Sequence, residues 1–81
     1  MFDELASCPK VVGVKQSMRA LREGRAKKVY FACDADPQLL KKVEELCAEY
    51  QVDTVHGATM AELGSAGGIA IGAAVVTALK A

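Results

Sequence analysis

The sequence predicts an α/β domain in which helices pack on both faces of a mixed sheet of four strands. Three observations predict it. Short β-branched and aromatic runs, such as Lys28 to Cys33, alternate with stretches of helical periodicity, such as Pro37 to Tyr50. Prolines, glycines and capping residues stand at the junctions between them. The 81 residues make one small core, able to bury about 60% of the unfolded surface, so residues 1–81 read as a single domain. Hydrophobic residues at 52% and charged residues at 25% place the chain among globular proteins and away from disordered ones.

Residues 2 to 8 supply an initial helical turn, ended by Pro9 because a proline disfavours helix at the residue before it. Lys10 to Gly13 reads as a short strand. From Val14 the apolar positions Val14, Met18 and Leu21 recur at i, i+4 and i+7, and Gly24 provides the stop, which gives a helix of about two and a half turns. Lys28 to Cys33 is a buried strand, followed by a turn from Asp34 to Pro37. Asp36 is placed to cap the next helix, with Pro37 at its first position, where the missing N–H costs nothing. Leu39, Leu40, Val43, Leu46, Cys47 and Tyr50 line one face of that helix, and Gln38, Lys41, Lys42, Glu44, Glu45 and Glu49 the other. Val52 to Gly57 is a third strand. Thr59, with Glu62 three residues later, is a capping box that opens a short helix, which Gly64, Gly67 and Gly68 end. Ile69 to Leu79 supplies the last strand. The order β-α-β-α-β-α-β requires helices on both sheet faces.

Several function classes are excluded by composition and spacing. A secretory leader needs a basic start before an apolar run, whereas Asp3 and Glu4 stand there, so the expectation is a cytoplasmic protein. Cys8, Cys33 and Cys47 lie 25 and 14 residues apart, a pattern of neither a disulfide framework nor a zinc site. Cys33 and Cys47 fall at apolar positions and read as buried thiols. The 17 uncharged residues from Leu63 to Leu79 carry a G-x-x-x-G spacing, yet they are shorter than the about 20 residues a bilayer requires and their Gly and Ala add little transfer energy. No membrane contact is expected.

Catalytic and nucleotide motifs fail on inspection. Gly67 to Gly72 has the G-x-x-x-x-G spacing of a phosphate loop, but Ala73 stands where the lysine is needed. A dinucleotide fingerprint follows a strand and opens a helix, and these glycines do the reverse. Glu44, Glu45 and Glu49 belong to a solvated helix face. Asp34 and Asp36 stand apart, at the carboxyl end of a central strand, where open α/β sheets place ligands. Neither a catalytic residue, nor a metal ligand, nor a cofactor is expected.

Charge is separated along a chain whose total is zero. Residues 1 to 28 hold seven Lys or Arg against three acids, a net of +4, and residues 29 to 62 hold two against seven, a net of −5. In the first of these regions lies the segment GVKQSMRAL, Gly13 to Leu21. Lys15, Arg19 and Arg22 recur at i, i+4 and i+7 and form a basic stripe beside the apolar one. Gly13 lets another backbone approach the helix start, where free N–H groups favour an anion. Cations near a helix start oppose its dipole, which suggests an external negative partner, and RNA phosphate is the obvious one.

Four segments, GVKQSMRAL, VYFACDADP, the M-x-x-L-G of Met60 to Gly64 and GIAIGAAVV from Gly68, together resemble the archaeal and eukaryotic kink-turn-binding ribosomal proteins of the L-seven-Ae type, and above all their small bacterial YbxF-like members. The resemblance runs from about Pro9 to Leu79. It implies a three-layer α-β-α sandwich around a central four-stranded mixed sheet, and binding of a kink-turn, an RNA duplex bent at a three-nucleotide bulge followed by sheared G·A pairs. By resemblance, Gly13, Lys15, Gln16 and Arg19, at the start of the second helix, read the G·A pairs. The loop before the last strand packs Ile69, Ala70 and Ile71 on bulged nucleotides, and Asp36 and Met60 contribute to a pocket for a flipped-out base. Arg22 and Lys28 add phosphate contacts. Archaeal members carry Asn-Glu in place of Lys15-Gln16, Lys in place of Arg19 and of Met60, and Glu in place of Ala70. The bacterial ones share Lys-Gln and the Met.

The expected function is therefore that of a non-enzymatic RNA-binding protein, monomeric, acting on kink-turns in ribosomal RNA or a messenger leader and associated with the ribosome. The alternative is a protein-interaction or homo-oligomerising subunit that uses the Gly/Ala-rich C-terminal segment.

Overall fold

A computed structural model describes residues 9–66 and 73–80 of the chain. The initial turn expected over residues 2 to 8, together with Cys8, Gly67, Gly68, Ile69, Ala70, Ile71 and Gly72, lies outside these residues. In chain order the elements are β1 (Lys10–Val12), α1 (Val14–Arg22), β2 (Ala26–Ala32), α2 (Pro37–Glu49), β3 (Asp53–Ala58), α3 (Met60–Ala66) and β4 (Val75–Leu79). The sheet order is β1-β4-β2-β3. β2 and β3 are parallel, joined by the α2 crossover, and β4 runs antiparallel to both β1 and β2.

Alternation along the central strands distributes two cores. Val29 and Phe31 of β2, with Val75 and Leu79 of β4, face Ala20 and Leu21 of α1 and Val43 and Cys47 of α2. Tyr30 and Ala32, with Val76 and Ala78, face Leu63 of α3 on the opposite side. The expected helix-sheet-helix layering follows from this period of two, because consecutive residues of a buried strand must serve different helices. Phe31, Leu21, Leu63 and Val29 are fully buried, and each such side chain contributes roughly 1.5–3 kcal/mol relative to an exposed position.

Local signals close the elements as the residues predict. Gly24, at φ +70°, ends α1: its N–H donates to the Leu21 carbonyl at 3.1 Å, and the Arg25 N–H donates to Ala20 at 2.9 Å, the paired bonds of a Schellman turn. α2 ends the same way, Val52 N–H donating to Cys47 at 2.9 Å, but with Gln51 rather than glycine at the left-handed position. Asp36 accepts the Gln38 N–H at 2.9 Å, with Pro37 opening the helix. Thr59 and Glu62 form the expected reciprocal box, at 3.0 and 3.1 Å.

Three expectations need correction. Gly64 does not end α3; it is buried inside a helix that continues to Ala66, since one glycine costs a helix only about 1 kcal/mol and the capping box and Leu63 hold the turn. Of the strand expected over Ile69 to Leu79, β4 takes Val75–Leu79 and leaves out Ala73 and Ala74. Ala73 instead donates its N–H to the Met60 carbonyl at 3.0 Å, which ties the backbone there to α3. Cys33 is exposed, whereas Cys47 is buried as expected. It lies one residue past β2, where strand alternation no longer decides burial.

Candidate nucleic-acid interface

The carboxyl ends of β1, β2 and β3 and the start of β4 share one end of the sheet, as the strand directions require. Backbone bonds knit this end together. Gly13 donates to the Val75 carbonyl at 2.8 Å, Ala32 to Ala74 at 2.9 Å, and Cys33 to Ala58 at 2.7 Å. The start of α1, the turn after β2, the start of α3 and the residues leading into β4 are thereby neighbours, although they are far apart in sequence.

Gly13 sits at φ 105° and ψ 161°, a region open essentially to glycine alone. This conformation sends the Gly13 N–H to β4, while its carbonyl accepts the Ser17 N–H at 3.0 Å and begins α1. A Cβ added at Gly13 would meet nothing within 4 Å among the described residues, so the glycine serves backbone geometry rather than relief of a close contact with them.

Burial fixes the orientation of α1. Ser17, Ala20 and Leu21 are buried and Val14 and Met18 half-buried, while Lys15, Gln16, Arg19 and Arg22 are exposed. Lys15, Gln16, Arg19, Arg22 and Glu23 line a surface depression of about 510 Å³. Because α1 spans only nine residues, Arg19 and Arg22 occupy its last turn, where cations suit the dipole. Of the three cations, only Lys15 therefore stands where the dipole disfavours it, which corrects the expectation for Arg19 and Arg22.

Glu23 was not anticipated. Its carboxylate accepts from Arg19 Nε at 3.3 Å and Arg25 Nη1 at 3.4 Å, and hydrogen bonding to Arg19, then to Arg25, lowers its pKa below the ordinary 4.5. The i, i+4 spacing of Arg19 and Glu23 was the signal that could have found it.

Asp34 and Asp36 are both engaged structurally. Asp34 Oδ1 accepts the Met60 N–H at 2.8 Å and so fastens the turn after β2 to the start of α3. No local pattern announces a bond spanning 26 residues. Asp36 and Met60 lie at the same end of the sheet as Gly13, Lys15 and Gln16, and half-buried Met60 packs on the core beneath α3. Lys28 is set apart: it is in register with Asp53 and Ala78, four residues before the end of β2 and roughly 13 Å along it. Ile69, Ala70 and Ile71 lie outside the described residues.

Burial, with Glu44 beside it, pushes the Cys47 thiol up to about 11, the opposite of an activated nucleophile. His56 stacks on Phe31 with ring centroids 5.0 Å apart. Among the described residues there is no group of three or more His, Cys, Asp or Glu placed to hold a metal ion, and no helix is long and apolar enough to cross a membrane.

Comparison with known proteins adds an independent line. Residues 9–81 match the model of the family described as ribosomal protein L7Ae/L30e/S12e/Gadd45. An RNA-binding protein of Geobacillus sp. (strain WCH70) is 44% identical over 70 residues, covering 86% of this chain and 85% of that protein. The RNA-binding protein YbxF of Geobacillus stearothermophilus is 41% identical over the same length and shares. Among solved structures, a protein with unknown function from Bacillus halodurans C superposes with a TM-score of 0.80 at 25% identity, over 89% of this chain and 72% of that one. The Giardia lamblia 15.5kD RNA binding protein superposes with a TM-score of 0.83 at 23% identity, over 89% of this chain and 61% of that one, a likeness of fold.

Proposed function

The chain belongs to the ribosomal protein L7Ae/L30e/S12e/Gadd45 family, and on that premise we propose that it is a non-enzymatic RNA-binding protein that recognises and stabilises kink-turns. The observation that carries the reading is the exposed row Lys15, Gln16 and Arg19, presented by a glycine-started helix at the sheet end it shares with Asp36 and Met60. Kinked RNA concentrates phosphates. Lys15, Arg19 and Arg22 meet them and supply a salt-dependent contribution, while Gln16, with one acceptor and one donor group, meets base edges. Gly13 lets the RNA backbone approach the helix start, Asp36 and Met60 contribute to a pocket for a flipped-out base, and Ile69, Ala70 and Ile71 are the apolar residues on which bulged nucleotides stack. Lys28, distant from this group, contacts phosphate only if the RNA extends along the sheet. The cellular target in this reading is ribosomal RNA or a structured messenger leader, bound by a monomer.

Calorimetric titration with a standard kink-turn tests it. The expected result is binding below micromolar concentration that is lost when the sheared G·A pairs are replaced by Watson-Crick pairs. Equal affinity for the two RNAs would sink the proposal.

A further inference from the structure

The cations of α1 do not stop where the helix does. Lys15, Arg19 and Arg22 run for roughly 10 Å along its exposed face, away from the sheet end that holds Gly13. Beyond the Gly24 turn, exposed Arg25 reaches the Glu23 carboxylate that Arg19 also holds, and the Lys80 N–H donates to the Arg25 carbonyl at 2.8 Å, so that the backbone of exposed Lys80 lies beside that of Arg25. Arg25 and Lys80 belong to no helix, so the dipole that accounts for Arg19 and Arg22 does not account for them.

We propose that Arg25 and Lys80, reached along the α1 row, form a second phosphate-binding surface that holds the duplex stem emerging from the kink-turn site; this rests on the RNA-binding reading above. The Glu23 carboxylate shows the geometry required. It holds Arg19 and Arg25 together at 3.3 and 3.4 Å, in the position a phosphate's oxygens take when RNA displaces it. An RNA stem fits this surface better than a protein does. A protein interface centres on buried apolar side chains, and the large exposed hydrophobics among the described residues are Leu39, in the first turn of α2, and Tyr50, at its C-terminal cap, not members of this row. A run of exposed cations matches a polyanion whose charges repeat along an axis.

The test compares two sets of RNA: a kink-turn with both stems cut to a few base pairs, and the same kink-turn with each stem in turn lengthened by a full helical turn. For the wild-type protein, lengthening one of the stems should tighten binding about 5- to 10-fold at low salt and steepen the salt dependence by about two units. Arg25→Gln/Lys80→Gln should lose that gain while binding the short RNA within about two-fold of wild type, and Lys41→Gln/Lys42→Gln on α2 should keep the gain. The proposal is overturned if neither longer stem is favoured, if the Arg25/Lys80 variant keeps the gain, or if it loses the short RNA as well, which would merge the surface with the first site. Failure of the wild-type protein to bind even the short kink-turn overturns the kink-turn reading itself, and is recognised separately.

Discussion

The Glu23 carboxylate and the Arg19 guanidinium face each other at 3.3 Å on a surface where the Arg19 side chain is 73% exposed. An anion from within the chain thus occupies the group expected to meet an external one. Glu23→Gln removes the competitor, and kink-turn affinity should rise about two- to five-fold, the range an exposed ion pair supports. Because Glu23 titrates below its usual value when folded, its pairing is present above pH 4.5 and lost as pH falls further. The gain from Glu23→Gln should therefore be seen at neutral pH.

Arg19→Ala should weaken binding and lower the salt slope by about one unit. The slope, measured from affinities at four or more salt concentrations, separates a phosphate contact from a general loss of fold. An unchanged slope would argue against that contact.

Asp34 fastens the turn after β2 to the first residue of α3, so Asp34→Ala should cost about 1 kcal/mol, as for loss of a helix cap. Since Met60 is the residue held, kink-turn affinity should fall in the same variant by more than the change in folded population explains. Denaturant titration and calorimetry on one preparation check both.

Gln51 adopts φ 55°, a left-handed conformation at the end of α2 that glycine adopts without strain. Gln51→Gly should raise stability by about 0.5–1 kcal/mol with RNA binding unaffected. Thr77→Val acts on a different weakness. Its Oγ1 is fully buried and has no hydrogen-bond partner among the described residues, and its replacement should stabilise the fold by about 1 kcal/mol, read as a higher denaturation midpoint at constant slope.

The two described cysteines should separate cleanly in a Cys8→Ser background. Exposed Cys33 should react with a maleimide in the native protein, whereas Cys47, buried and with its thiol pushed to about 11, should react only on unfolding. Folding favours the protonated Cys47 thiol, so this contribution is complete below pH 9.0 and is lost as pH rises toward 11. Thermal stability measured across that interval should fall, and should fall less in Cys47→Ala.

The order of elements, the capping of α2 by Asp36, the Thr59–Glu62 box, the Gly24 stop and the outward row of Lys15, Gln16, Arg19 and Arg22 were all determined by sequence. Each depends on residues within about two turns of one another, where spacing dictates which groups meet. What lies further apart was decided only by the tertiary structure. The bond from Met60 to Asp34, the contact of Gly13 with Val75, the separation of Lys28 from the site and the placing of Lys80 beside Arg25 all follow from strand order and register. Register is set by burial of two faces at once, a property of the assembled sheet that no single segment carries.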